Sequence, residues 1–376
     1  QFIAYLDGRR SVDNAWNLCY EEYGDDAPTQ GDAITLLGQL YSSNLLQGDV
    51  PADTAGLLKR HQTRKKRETT AYMRGILFAR IPLFDPDNIL ERWVFLFGPL
   101  FSKIGYIFGF IIIALGLTFT FNNFDVLARE SQDTLSLSNL PWLYLMFAIT
   151  KLLHEFGHGF ACKYYGKKTN TGGSVNTMGI AFLLMTPVPY VDATSSWALK
   201  NKWMRIAVAG AGMYVELLLA AIAAILWSQT PSGDPLHILS FNVMFIASVT
   251  TILFNGNPLL RYDAYYMLAD AFEIPNLSGR SKLHLKYLFR KFLFGVRQAT
   301  SPIYDLFEGF FMFLYGISSE VYKFVIFSSI IFFISELSAI LGLFVLVFYF
   351  IIGFGMPTLT FFRYLVTSPE LGRNRL

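Results

Sequence analysis

The sequence predicts a mainly α-helical, polytopic membrane protein carrying a small α+β domain at its N-terminus. Three observations lead there. Of the 376 residues, 53% are hydrophobic and only 16% charged, a balance outside the usual soluble range. Several apolar stretches approach the roughly 20 residues needed to cross a bilayer. Basic residues cluster on alternate sides of those stretches, so the net charge of +3 conceals an ordered distribution.

Residues 1 to 58 read as a separate soluble domain. Val12, Ala15, Trp16, Cys19, Tyr20 and Tyr23 follow helical spacing after the cap candidate Ser11, and Gly24 ends the run. Thr29 and Asp32 form a capping-box-like start to a second helix containing Ala33, Leu36, Leu37, Leu40 and Tyr41. Gln1 to Leu6 and Leu45 to Val50 are expected as short strands beside turn signals. So small a core is marginal alone. The domain is either a scaffold or a holder of a peptide or partner. Gln1 opens the chain without a Met and no signal peptide follows, so the sequence is expected to be a fragment or a processed chain.

Residues 59 to 100 read as a basic linker and interfacial segment, and 101 to 376 as the membrane domain. About six crossings are expected: Phe101 to Phe121, Trp142 to Cys162, Met204 to Trp227, Leu236 to Leu260, a segment within Phe307 to Phe333, and Leu337 to Met356. Glu320 and Lys323 interrupt the fifth. Basic clusters precede the first crossing and fall between the second and third and between the fourth and fifth; Asp125 to Asp133 and Ser228 to Pro235 are acidic or neutral. By the positive-inside rule both chain ends are expected to be cytoplasmic. The run from Lys59 to Arg67 stands before a span, where basic residues meet anionic lipid headgroups, so the bilayer and no nucleic acid is the expected partner.

The second crossing contains His154-Glu155-Phe156-Gly157-His158. Two His four residues apart share one helix face and can both ligate Zn²⁺, and the Glu beside the first is placed to deprotonate a water. Ionisable groups at membrane depth are costly enough to imply function. Of the two cysteines, Cys162 lies one turn beyond His158; it reads as a ligand or, preferably, as a buried thiol. His61, His237 and His284 belong to no motif and receive no role.

Two His leave a catalytic zinc one protein ligand short. Asp263 is the candidate, in the segment from Asn255 to Ala264 where Gly256 and Pro258 break a helix. An ordinary helix cap is an equal reading of that Asp. Asn257 in the same segment is a candidate for orienting ligands or substrate. Gly172 to Asp192 mixes glycines, apolar residues and Pro187 and Pro189, and reads as a re-entrant hairpin. Such a hairpin either packs as a plug or offers an edge to an unwound substrate. Asp192 stands near its mouth, with a turn the favoured role. Glu216, on the third crossing, is expected either to hydrogen-bond near the metal or to pair with a basic residue.

Together the motifs resemble those of the site-2 protease family, intramembrane zinc metalloproteases that pair H-E-x-x-H on one helix with N-x-x-P-x-x-x-x-D-G on another. Asn255, Pro258 and Asp263 match the second pattern, and Ala264 replaces its final Gly. The resemblance implies zinc held by His154, His158 and Asp263, with Glu155 as base and Asn255 steadying the substrate carbonyl. Ala211-Gly212-Met213-Tyr214-Val215-Glu216 matches the A-G-P-x-x-N element in part, with Glu216 where Asn is usual.

Ala27-Pro28-Thr29-Gln30 and Pro189-Tyr190-Val191-Asp192 are further similar to the bacterial peptide zinc metalloprotease branch. That likeness implies a PqqD-like winged-helix domain at the N-terminus, a bacterial inner-membrane location and work on exported or modified peptides. It also implies an ABC-type exporter or haemolysin-D-type membrane-fusion protein as partner. The expected activity is therefore hydrolysis of a membrane-associated or exported peptide by metal-activated water. The rivals are a catalytically silent peptide-binding subunit of an export assembly and a transporter. No internal repeat or paired broken helices favour the transporter.

Overall fold

The computed structural model describes residues 2–6, 10–24, 28–42, 80–183, 186–296, 301, 303 and 305–367. The chain divides into two compact units, Gln1–Met73 and Arg74–Leu376.

In the first unit, helix α1 (Val12–Tyr23) starts where Ser11 Oγ accepts the Asn14 N–H at 3.2 Å and ends at Gly24, whose φ is 54°. Helix α2 (Gln30–Ser42) begins with Thr29 Oγ1 accepting the Asp32 N–H at 3.2 Å, the capping arrangement its sequence implies. Phe2, Ala15, Cys19 and Ala33 form a small core, and Trp16 Nε1 donates to the Pro28 carbonyl at 2.8 Å. The strand expected over Gln1 to Leu6 is replaced by a 3-10 helix, Phe2–Tyr5. Leu6 N–H closes it on the Ile3 carbonyl at 3.1 Å, a local bond that satisfies a segment with no strand partner among the described residues. The second expected strand, Leu45 to Val50, the basic run Lys59 to Arg67 and the terminal Arg373 and Arg375 lie outside the described residues.

The second unit is built on helices, with one small sheet. Strands β1 (Arg80–Phe84), β2 (Met178–Leu183) and β3 (Thr186–Val191) are antiparallel in the order β1-β2-β3. β2 and β3 are the expected hairpin, with Met178 opposite Val191. β1 arises inside the stretch read as linker and interfacial segment. Its Pro82 cannot donate to a ladder, which an edge strand tolerates, and the register shifts between Pro82 and Phe84. Helix α3 (Asp87–Phe97) follows and is amphipathic: Leu90 and Val94 are buried while Phe95 and Leu96 are exposed.

Among the described residues, four helices are long and apolar enough to cross a membrane. They are α4 (Lys103–Asn122), α7 (Lys202–Gln229), α8 (Pro235–Thr250) with its π-helical extension Thr251–Asn255, and α11 (Leu306–Leu337). This differs from the six expected. The second expected crossing lies in α6 (Leu140–Thr169), which carries Lys151, Glu155 and Lys163 and so falls outside that apolar class. The sixth is divided between α12 (Ala339–Phe350) and the π-helical Ile351–Gly355, leaving α12 short.

The polar side chains of α6 are affordable because the helix is buried by its neighbours. Lys151, His154, His158 and Lys163 are all less than a tenth exposed. Helices α3, α7 and α8 and strand β3 pack against it, α5 (Phe124–Asp133) lies over the far end of α7 and α8, and Leu90, Phe101, Phe160, Tyr165, Val208 and Tyr214 share a core. Gly157 sets the α6–α7 spacing: a Cβ there would lie 2.9 Å from Val215 Cγ2 and 3.0 Å from the Ala211 carbonyl oxygen.

After the π-turn, Gly256 N–H returns to the Thr251 carbonyl at 2.6 Å and ends the helix. The chain then restarts as α9 (Asp263–Ala271). Arg205 Nε to Asp270 Oδ1 at 2.7 Å ties α9 to the beginning of α7. Helices α10 (Leu277–Leu288) and α13 (Met356–Thr367) complete the described chain.

Candidate metal centre

Helix α6 delivers His154 and His158 on one face, a turn apart, toward α7. Helix α9 delivers Asp263 from its first position, where the restart of the chain aims the carboxylate at the two imidazoles. His154 Nε2 lies 3.0 Å from His158 Nε2 and 3.1 Å from Asp263 Oδ2, and His158 Nε2 lies 3.5 Å from Asp263 Oδ1. One donor atom from each of the three falls within 4.8 Å of the others. Ligands at about 2.0–2.1 Å from a tetrahedral zinc stand about 3.3–3.4 Å from one another, so the separations bracket what such an ion needs.

The chemistry of the donors supports the same fit. His158 Nδ1 lies 2.8 Å from the Val208 carbonyl oxygen. A carbonyl only accepts, so Nδ1 carries the proton and Nε2 presents a lone pair. His154 faces a conflict as a neutral ring. With its proton on Nδ1, its Nε2 lone pair opposes that of His158; with the proton on Nε2, its Nδ1 lone pair opposes Glu216 Oε2, 3.4 Å away. A cation among the three donors removes the conflict. Asp263 Oδ2, the oxygen facing His154 Nε2, is buried without a hydrogen-bond partner, the state expected of a group shaped for a ligand. Gly212 on α7 keeps the space open, since a Cβ there would press on Nε2 of both imidazoles.

Glu155 points to the sheet. Its Oε2 accepts the Val191 N–H at 2.8 Å, placing the end of β3 beside the histidines. Glu216 is fully buried and collects donors: Lys151 Nζ at 2.5 Å on Oε1, with Thr251 Oγ1 at 2.6 Å and Asn255 Nδ2 at 3.4 Å on Oε2. Thr251 and Asn255 stand four residues apart on the π-helical turn and so share the side that faces Glu216.

Of the residues singled out by sequence, His154, His158, Asp263, Glu155, Glu216 and Asn255 gather here. Asp192 and Asn257 do not. Asp192 is exposed, and its Oδ1 accepts the Thr194 N–H at 3.1 Å, an Asx turn. Asn257 Oδ1 similarly accepts the Leu259 N–H at 2.8 Å. Cys162 turns away, its Sγ 3.3 Å from Ser195 Oγ. Ala264, where Gly is usual, sits inside helical α9 with no positive φ and fits without strain. Sequence reading passed over Lys151, which shares a helix face with His154. Its signal was an isolated positive charge at membrane depth, with the isolated negative charge of Glu216 on the next span.

A model of peptidase family M50 matches residues 142–356, more than half of the chain and the whole of the region just described. The match begins beyond residues 1 to 58, and the leader-peptide domain and exporter partner implied by resemblance are not carried with it. No curated protein and no solved structure matches the chain.

Proposed function

The chain belongs to peptidase family M50, the site-2 protease family, and is a multi-pass membrane protein; on that premise we propose that it hydrolyses peptide bonds of membrane-associated or exported peptides at a zinc site formed by His154, His158 and Asp263. The observation that carries this reading is the convergence of two imidazoles and a carboxylate, one carboxylate oxygen orphaned, at the apex of a helix break. Bound zinc supplies Lewis acidity, lowering the pKa of a water toward about 7 and polarising the scissile carbonyl.

Glu155 is the base. Its Oε2 is occupied by the Val191 N–H, so Oε1 is the oxygen that takes the proton and returns it to the leaving amine. The bond to Val191 also fixes the carboxylate rotamer, which is what a positioned base requires. Asn255 lies within the polar group around the histidines and is the candidate amide for steadying the carbonyl oxygen.

The hairpin positions the substrate. Asp192 N–H donates to the Thr177 carbonyl at 2.9 Å, whereas the adjacent Val191 N–H points to Glu155. By the two-residue alternation of a strand, Pro189 and Pro187 share the outward direction of Val191. With the Val191 N–H taken by Glu155 and none at Pro189 and Pro187, that edge has no free N–H to offer, so an added substrate strand is held by its own N–H donors.

Zinc quantification with a cleavage assay on short membrane-associated peptides tests the assignment. Glu155→Gln is expected to retain one zinc per chain and lose cleavage by about 10²–10⁴-fold, while Asp263→Ala loses zinc. Full proteolysis by the Glu155 variant removes it as the base. Zinc without cleavage in the unaltered chain leaves a peptide-binding subunit as the function.

A further inference from the structure

We propose that Lys151 and Glu216 act as one positioning unit for His154, resting on the zinc reading above: Glu216 accepts the Nδ1 proton of that imidazole, and Lys151 keeps the carboxylate off the metal. Three observations meet here. Lys151 is 8% exposed and Glu216 0%, so both charges are largely withdrawn from solvent. Lys151 Nζ holds Glu216 Oε1 at 2.5 Å, while Oε2, also bonded to Thr251 Oγ1 at 2.6 Å, is the oxygen 3.4 Å from His154 Nδ1. The two histidines also differ in their backing. His158 Nδ1 is served by the Val208 carbonyl at 2.8 Å, and the acceptor facing His154 Nδ1 is Glu216.

A metal-ligating imidazole needs its second nitrogen protonated and bound, because that bond sets both tautomer and ring direction. A carboxylate does this more strongly than a carbonyl. It also brings a hazard, since an uncommitted carboxylate one imidazole away from a divalent cation is itself a ligand, and binding it would close the position that water needs. Lys151 answers that hazard by occupying Oε1. Thr251 and Asn255 restrain Oε2. Where the related motif has a neutral Asn, this chain has a charged residue together with the counter-charge it requires.

The test uses the full chain in detergent or nanodiscs, with Zn²⁺ titrated against a chromophoric chelator and Co²⁺ as a spectroscopic probe. Glu216→Gln is expected to weaken zinc about 10-fold, within the about 10–100-fold usual for such partners. Lys151→Met is expected to alter the Co²⁺ absorption spectrum, as Glu216 enters the coordination sphere, and to lower cleavage without weakening zinc. The double variant Lys151→Met/Glu216→Gln leaves no unpaired charge. It is expected to fold, to regain the Co²⁺ spectrum of the unaltered chain, and to bind zinc like Glu216→Gln alone.

Unchanged zinc affinity and spectrum in all three, with only a lower unfolding temperature, would mean the pair merely joins two helices and would overturn the proposal. An unaltered chain that binds no zinc would overturn the zinc reading itself, a result separable from the first.

Discussion

Two histidine–carboxylate clusters lie along α7, and the same residue types are used oppositely in them. Near the far end of α7, His237 Nε2 lies 3.0 Å from Glu130 Oε1, and its Nδ1 lies 3.1 Å from the Trp227 carbonyl oxygen and 3.0 Å from that of Thr230. Trp227 Nε1 donates to Glu130 Oε2 at 2.8 Å. Both ring nitrogens are engaged, and the Trp227 indole, 1% exposed, fills the space beside them. In the middle of the bundle, Asp263 Oδ2 lacks a hydrogen bond, the two imidazole Nε2 atoms face each other 3.0 Å apart, and the neighbouring position on α7 is Gly212, which fills nothing. The first cluster spends its polarity on joining α5, α7 and α8. The second leaves its polarity converging on a point. Buried polar groups are ordinarily satisfied within the protein, so incompleteness together with space, rather than the presence of histidine and carboxylate, distinguishes a site from a clamp.

The largest expected effect breaks the comparison outright. His158→Ala should abolish stoichiometric zinc, a loss exceeding the about 10–100-fold that follows from disturbing an orienting partner, while thermal unfolding of the metal-free protein changes little. His237→Ala should leave zinc unchanged. Metal analysis of both variants checks the pair of outcomes; loss of zinc from the His237 variant would show that the two clusters are not independent.

Gly212→Ala ranks next. The added methyl enters the space against both Nε2 atoms, and zinc affinity should fall at least as far as for an orienting partner, about 10–100-fold. Because α7 is otherwise a good helix at this position, Ala should not unfold it. Chelator competition beside a thermal melt separates the two effects. Unchanged zinc affinity would mean that the space Gly212 leaves is not where the ion sits.

These contrasts also show what a sequence can and cannot express. His154 and His158 are legible because a helix repeats about every four residues, and Asp263 because Pro258 and Gly256 announce a break. The α1 cap at Ser11 is equally local. The Val208 carbonyl that orients His158 is invisible, since every residue has a backbone carbonyl and only the fold selects this one. The Lys151–Glu216 contact spans 65 residues of sequence and becomes apparent only once α6 and α7 are packed. Apolarity alone leaves α6 out of the spanning class for a related reason: its charged residues are buried against protein, a partnership that hydropathy does not register. The short 3-10 helix Phe2–Tyr5 was mistaken for a strand because four or five apolar residues carry no decisive period.

A moderate effect should sharpen the contrast from the clamp side. His237→Ala leaves Glu130 Oε1 without its imidazole, at a cost of about 1–3 kcal/mol for a buried bond left unmade, toward the lower end because the Glu130 side chain is 27% exposed. The unfolding temperature should drop while cleavage at permissive temperature persists. A drop in cleavage with no change in stability would move His237 into the functional class.

The smallest effect concerns a third polar group, at the α3–α6 contact, and gives the comparison a pH axis. Burial pushes the Asp87 carboxyl up, but hydrogen bonds from Lys163 and the Val175 N–H, with the lysine's charge, outweigh it and hold the group below its ordinary value. Glu91, hydrogen-bonded by Lys167 and Lys163, is likewise lowered. A carboxylate with a depressed folded pKa stabilises the folded state above its unfolded pKa of about 4, and that contribution is lost as pH falls through the lower folded value. The α3 attachment should therefore be constant from pH 8 to about 5 and weaken only in stronger acid. Asp87→Asn should cost no more than about 1 kcal/mol at pH 7 and flatten the acid limb of a melting-temperature profile measured from pH 7 to 3. If that limb is as steep in the Asn variant as in the unaltered chain, acid sensitivity originates elsewhere, and the carboxylates of the incomplete cluster become the next to examine.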